Sequence, residues 1–152
     1  MTAPRLVFPG RPRHLARRFV GSLRPGGPSP TEEAWATGYL LAGEADLWRS
    51  MSGADRRHAV AVARRVDRAL GSPERPVLAA ALLHDVGDPI APENHSAVAA
   101  DILRPYVTDR THWIIRHHGV FQGYYYFHHL GADPDAREQF RDHQWFDDCA
   151  AF

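Results

Sequence analysis

Seven consecutive apolar residues, Val77 to Leu83, run directly into the ionisable pair His84-Asp85. A run of this length suits one buried helix and falls far short of the roughly 20 apolar residues that span a bilayer. Two polar side chains at the end of such a helix lose hydration, and that loss is costly unless partners replace the water. The rest of the chain must therefore bring partners to His84 and Asp85. With 152 residues it is long enough to build one domain with a real core.

The remaining pattern is helical. Thr31, followed by Glu32 and Glu33, marks a helix start, because acids favour the positive end of the helix dipole. Trp35, Tyr39 and Leu40 then recur at helical spacing. Further helices are expected from about 44 to 51, and from 55 to 70 with Asp55 as cap and Gly71 as stop. Pro76 opens the next, 76 to 86. Glu93 or Asn94 opens another, ended or kinked by Pro105. Asp109 caps the next, about 110 to 118, which Gly119 stops. An aromatic segment, Phe121 to Leu130, and a polar helix from about Pro134 complete the chain. No segment alternates as a strand would, so the expected class is all-α. Residues 1 to 30 differ: they hold six arginines, no acid and much proline and glycine, which reads as a basic arm before a domain over 31 to 152. Within the arm, His14 to Leu23 could form one short helix.

Composition narrows the chemistry. The formal net charge is zero, which argues against nucleic acid as a partner. Neither a membrane span nor a signal-type leader is read, so a cytoplasmic protein is expected. The single cysteine rules out an intrachain disulfide and a cysteine-rich zinc site. Ten histidines are the unusual entry, and a metal site built from imidazole and carboxylate suits iron, manganese, cobalt or zinc.

Four histidines lie on apolar helix faces. His58 precedes Val62 and Val66, and His84 follows the apolar run. His95 precedes Val98, Ala99 and Ile102, and His118 follows Ile114 and Ile115. One buried histidine is ordinarily a core residue bonded to a carbonyl. Four from separate helices, with Asp85, form a ligand set whose desolvation a divalent cation offsets together.

His58, then His84-Asp85 within Leu82-Leu83-His84-Asp85-Val86-Gly87, resembles the HD-domain superfamily over roughly residues 31 to 152. The resemblance implies an HD-type helical bundle and metal-dependent phosphohydrolase chemistry on a nucleotide or other small phosphorylated or polar substrate. It implies one or two divalent ions, with His58, His84, Asp85, His95 and His118 as ligands. His117 and Asp88 become catalytic or supporting residues, and Arg116 and Tyr124 substrate contacts. The segment Ile114 to His118 is similar to that of di-iron HD oxygenases and favours His118 over His117 as ligand. Residues 31 to 87 resemble phosphohydrolase-type members, whereas 88 to 152 resemble the oxygenase type. An oxygenase and a metal-binding module without turnover are therefore the alternative functions. Where many HD phosphohydrolases carry lysine, this chain has Asp88. The family's distal aspartate would fall just beyond Phe152, so Asp147 or Asp148 is the in-chain substitute, unless both are solvent-facing helix residues.

Overall fold

The computed structural model describes residues 26–152; the helix expected at 14 to 23 and nearly all of the basic arm lie outside them. Among the described residues there are seven α-helices and no strand. They are α1 (Pro30–Thr37), α2 (Ala42–Ser50), α3 (Gly53–Leu70), α4 (Arg75–Leu83), α5 (His95–Leu103), α6 (Asp109–Gly123) and α7 (Phe146–Ala151). Short 3-10 turns cover Pro92–Asn94, Arg104–Tyr106, Phe127–Leu130 and Ala136–Phe140. Among the described residues no helix is long and apolar enough to cross a membrane.

The helix starts follow local hydrogen bonding. Ser29 caps α1 through the Glu32 amide, while the Glu32 carboxylate returns to the Ser29 amide, satisfying two otherwise orphaned donors. Ser52, not Asp55, caps α3, because its hydroxyl accepts from the Asp55 amide; Asp55 stands inside the first turn. Thr108, not Asp109, caps α6 in the same way through the Thr111 amide. Gly71 closes α3 in the left-handed conformation, as expected of a C-terminal glycine. Because α3 carries His58 in its second turn, its cap also helps place that ring. Replacing Ser52 with alanine is expected to cost about 1 kcal/mol, seen as a fall of about 2–4 °C in melting temperature by circular dichroism.

Three expected boundaries move. First, α4 ends at Leu83, so His84 is its C-cap and Asp85 lies in the turns that follow. Second, α6 runs through Gly119 to Gly123. Gly119 is there for space: a Cβ on it would stand 2.6 Å from Ser96 Oγ, so its role is close packing of α6 on α5. Third, the polar stretch after Pro134 forms only the 3-10 turn Ala136–Phe140, and the last helix starts at Phe146. The fold also begins before residue 31, since Gly27 packs on Gly53 and the Gly26 carbonyl accepts from Arg57.

Helices α3 and α4 pack together, as do α5 and α6, and α4 also touches α2 and α6. The core gathers Trp48, Val60, Leu82, Leu83, Val86, Leu103 and Ile115 around the alanines of α3, α4 and α5. Those alanines carry no bulk, so the helices approach closely. The Trp48 indole donates to Glu33, which Arg56 also holds, tying α1, α2 and α3 together. A second cluster of Phe121, Phe146 and Cys149, with Trp113, Ile114 and Phe140 against it, seats α7 on α6. Trp113 stacks flat on His143 with centroids 4.0 Å apart, so this ring is packing material.

Candidate metal centre

The apolar side of α4 dictates where its last residues go. Leu82 and Leu83 are fully buried, and the chain turns immediately after them, so His84 and Asp85 stay inside, 0% and 2% exposed. At its end α4 leaves carbonyls without helical partners. His84 Nδ1 donates to one of them, Ala81 O, at 2.8 Å. His118 Nδ1 donates to Ile115 O at 2.6 Å, and His95 Nδ1 to Pro92 O at 2.9 Å. A carbonyl can only accept, so each of these Nδ1 atoms carries hydrogen. In the neutral ring the opposite nitrogen, Nε2, is then a lone pair.

The Nε2 atoms of these three rings and of His58 converge on one carboxylate. His84 Nε2 lies 3.1 Å and His58 Nε2 3.7 Å from Asp85 Oδ2. On the other oxygen, His118 Nε2 lies 3.1 Å and His95 Nε2 3.5 Å from Asp85 Oδ1. His95 Nε2 and His118 Nε2 are 3.3 Å apart. Two groups able to hold an ion result, His58–His84–Asp85 and Asp85–His95–His118, sharing the carboxylate. The C-terminal end of the α4 dipole adds partial negative charge at the same place.

Acceptors facing acceptors across about 3 Å repel unless positive charge lies between them. Protonation could supply it, yet burial lowers the His118 pKa more than its bond to Asp85 raises it. Burial pushes the Asp85 carboxyl upward, but the His84 and His118 rings outweigh this and hold it well below the ordinary carboxylate range. The centre therefore presents an ionised carboxylate to His118, whose charged form burial disfavours. Spacing supports a metal as well. Two donors about 2.1 Å from one ion, at angles between octahedral and tetrahedral, stand about 3.0–3.4 Å apart. Most of the separations above match, so the residues fit divalent ions. Each Nδ1 bond fixes its ring's orientation and tautomer, as the supporting bonds of metal-binding histidines do.

The centre is open on one side. His58 and His95 are about a quarter exposed, and Asp88 stands beside His95 with Oδ1 3.1 Å from its Nδ1. Burial, and then the charge of Asp85, raise the Asp88 pKa. On the closed side the Phe152 ring lies against His84 and His118, with centroids 5.4 and 6.1 Å away.

Other residues singled out by sequence sit elsewhere. His117 is turned from the centre: its Nδ1 donates to Trp113 O, and its ring packs on Trp113 and Phe140. Arg116 pairs with Asp101 on the surface. Tyr124 is half exposed beneath the Arg137 guanidinium. Asp148 is held by both arms of Arg110, at 2.8 and 2.7 Å, and Asp147 is exposed on α7. Neither aspartate joins either group, because the α6–α7 packing points Asp148 at Arg110. Asp148→Asn is accordingly expected to leave metal content unchanged by elemental analysis, while loosening α7. Ser96 escaped the sequence reading, and its Oγ lies 3.2 Å from His95 Nε2. Its position directly after His95 was the only available signal.

Residues 57–144 match the family model described as HD domain. That span contains all five converging side chains and leaves out α1, α2 and α7. No curated protein matches, and no solved structure matches.

Proposed function

The chain belongs to the HD-domain family, and from that premise we propose that it is a metal-dependent phosphohydrolase acting on a nucleotide or other small phosphoester. One observation carries the reading: imidazole lone pairs from separate elements converge on the two oxygens of a single buried carboxylate, an arrangement that calls for cations. Divalent ions held there would make hydroxide available near neutral pH and neutralise charge on phosphoryl oxygens.

The chain's own groups divide the remaining work. Asp85 offers one oxygen to each group and so fixes the spacing of the two positions. His84 and His118, wholly buried, hold its charge in place and exclude water from the closed side. The exposed edges of His58 and His95 leave room for substrate on the open side. Asp88 stands at that opening beside His95, placed to carry a proton for the leaving group. His117 cannot share that task, since packing holds it away.

Purified chain loaded separately with Mn, Co and Fe should hydrolyse at least one member of a broad nucleotide and sugar-phosphate panel. Hydrolysis of none, with stoichiometric metal bound, would sink the proposal. A di-iron oxygenase is the second reading, favoured by two ligand groups sharing one carboxylate. Anaerobic iron loading followed by EPR separates the two, since that reading requires a coupled mixed-valent signal. Small phosphorylated or polar molecules are the partners proposed under either chemistry.

A further inference from the structure

We propose that Ser96 Oγ is a direct oxygen donor of the second cation position, beside Asp85 Oδ1, His95 Nε2 and His118 Nε2. This rests on the two-cation reading above and adds a residue to it.

The first observation is distance. Ser96 Oγ lies 3.2 Å from His95 Nε2, the same spacing as His118 Nε2 from Asp85 Oδ1 (3.1 Å) and from His95 Nε2 (3.3 Å). Neighbouring donors about 2.1 Å from a shared ion are about 3.0–3.4 Å apart, so the hydroxyl already stands at the edge length of a coordination shell.

The second observation is the space made for it. Gly119 of α6 faces Ser96, and a Cβ there would stand 2.6 Å from Oγ and within 3.8 Å of the His95 ring. The hydroxyl, as placed, occupies volume that a Cβ at Gly119 would crowd, beside the His95 ring. The third is bonding. His95 Nδ1 already faces Pro92 O and Asp88 Oδ1, both acceptors, so Nε2 keeps its lone pair and Ser96 can donate to it. An ion on Nε2 takes that lone pair, and the Ser96 oxygen is left beside the ion with its own lone pairs available.

The two positions then differ in chemistry. The first is held by two imidazoles and a carboxylate, and the second has an added neutral oxygen. Harder ions such as Mn and Fe(II) should favour the second position more than zinc does.

The test uses the full chain, Ser96→Cys and Ser96→Ala, with cobalt and manganese as probes. In Ser96→Cys loaded with two cobalt ions, a thiolate-to-cobalt charge-transfer band should appear in the near ultraviolet, absent from wild type. In Ser96→Ala, one of the two manganese affinities should fall about tenfold or more, as for loss of a supporting group, with the other unchanged by calorimetry. Circular dichroism establishes that both variants are folded. Absence of the band with two cobalt ions bound, or unchanged manganese affinities in Ser96→Ala, overturns the assignment while leaving the two-cation reading standing. Binding of fewer than two ions by wild type overturns that reading, and this proposal with it.

Discussion

Asp85→Asn should empty the centre without unfolding the protein. The carboxylate supplies one oxygen to each ligand group, so its loss removes charge from both positions together. Elemental analysis after reloading should show metal falling from about two ions per chain to well below one, because metal sites need their anionic ligand. Any phosphoester hydrolysis should fall at least ~10³-fold, a loss at the upper end for removing one charge-stabilising group from an active site. The stability change has an informative sign. In wild type, each ion bound at 100 times its Kd should add about 2.7 kcal/mol, or roughly 5–10 °C in melting temperature for a domain of this size. The variant should show no such rise. A variant that keeps two ions would show that Asp85 is no shared ligand. One that unfolds would show that the buried charge, not a metal, organises the core.

The five converging residues were legible because each obeyed one rule: a polar side chain on an apolar stripe needs a reason. His58 before Val62, His84 after Leu83, His95 before Ala99 and His118 after Ile115 all announce burial by period alone. Which residues meet across helices has no such signature. The pairing of Asp148 with Arg110 and that of Arg116 with Asp101 depend on how α7 and α5 lie against α6, separations of 38 and 15 residues. Ser96 was missed because a hydroxyl beside a ligand is common in any helix start; only the gap at Gly119 makes it notable. That same gap misled the boundary of α6. A glycine within a helical pattern signals either an end or a close approach, and sequence alone does not separate them. The helix caps were displaced for a related reason: Ser52 and Asp55, or Thr108 and Asp109, are acceptable caps one turn or less apart.

Gly87→Ala should separate the two halves of the centre. Gly87 lies in the run of turns between Asp85 and His95, and its carbonyl accepts from the amides of Ile90 and Ala91. A Cβ on it would stand 2.3 Å from the His95 carbonyl oxygen and 2.9 Å from its Cα. Those are backbone atoms at the start of α5, so no side chain can swing aside, and the segment bearing His95 must shift. Overpacking of this kind costs about 1–3 kcal/mol, sometimes more, measurable as a lower urea midpoint. The chemical consequence is selective. His58 and His84 sit on α3 and at the end of α4, before the obstruction, so their group with Asp85 should still bind one ion. The group containing His95 should lose its ion, and metal content should fall from about two to about one. Gly71→Ala is the matched comparison: its φ is +65°, so the change strains the backbone, but nothing lies within 4 Å of the added Cβ. It should therefore destabilise by about 1 kcal/mol and keep full metal content. If Gly87→Ala and Gly71→Ala lose metal equally, the loss follows general stability. If only Gly87→Ala drops to one ion, the packing of Gly87 under His95 is what holds the second position.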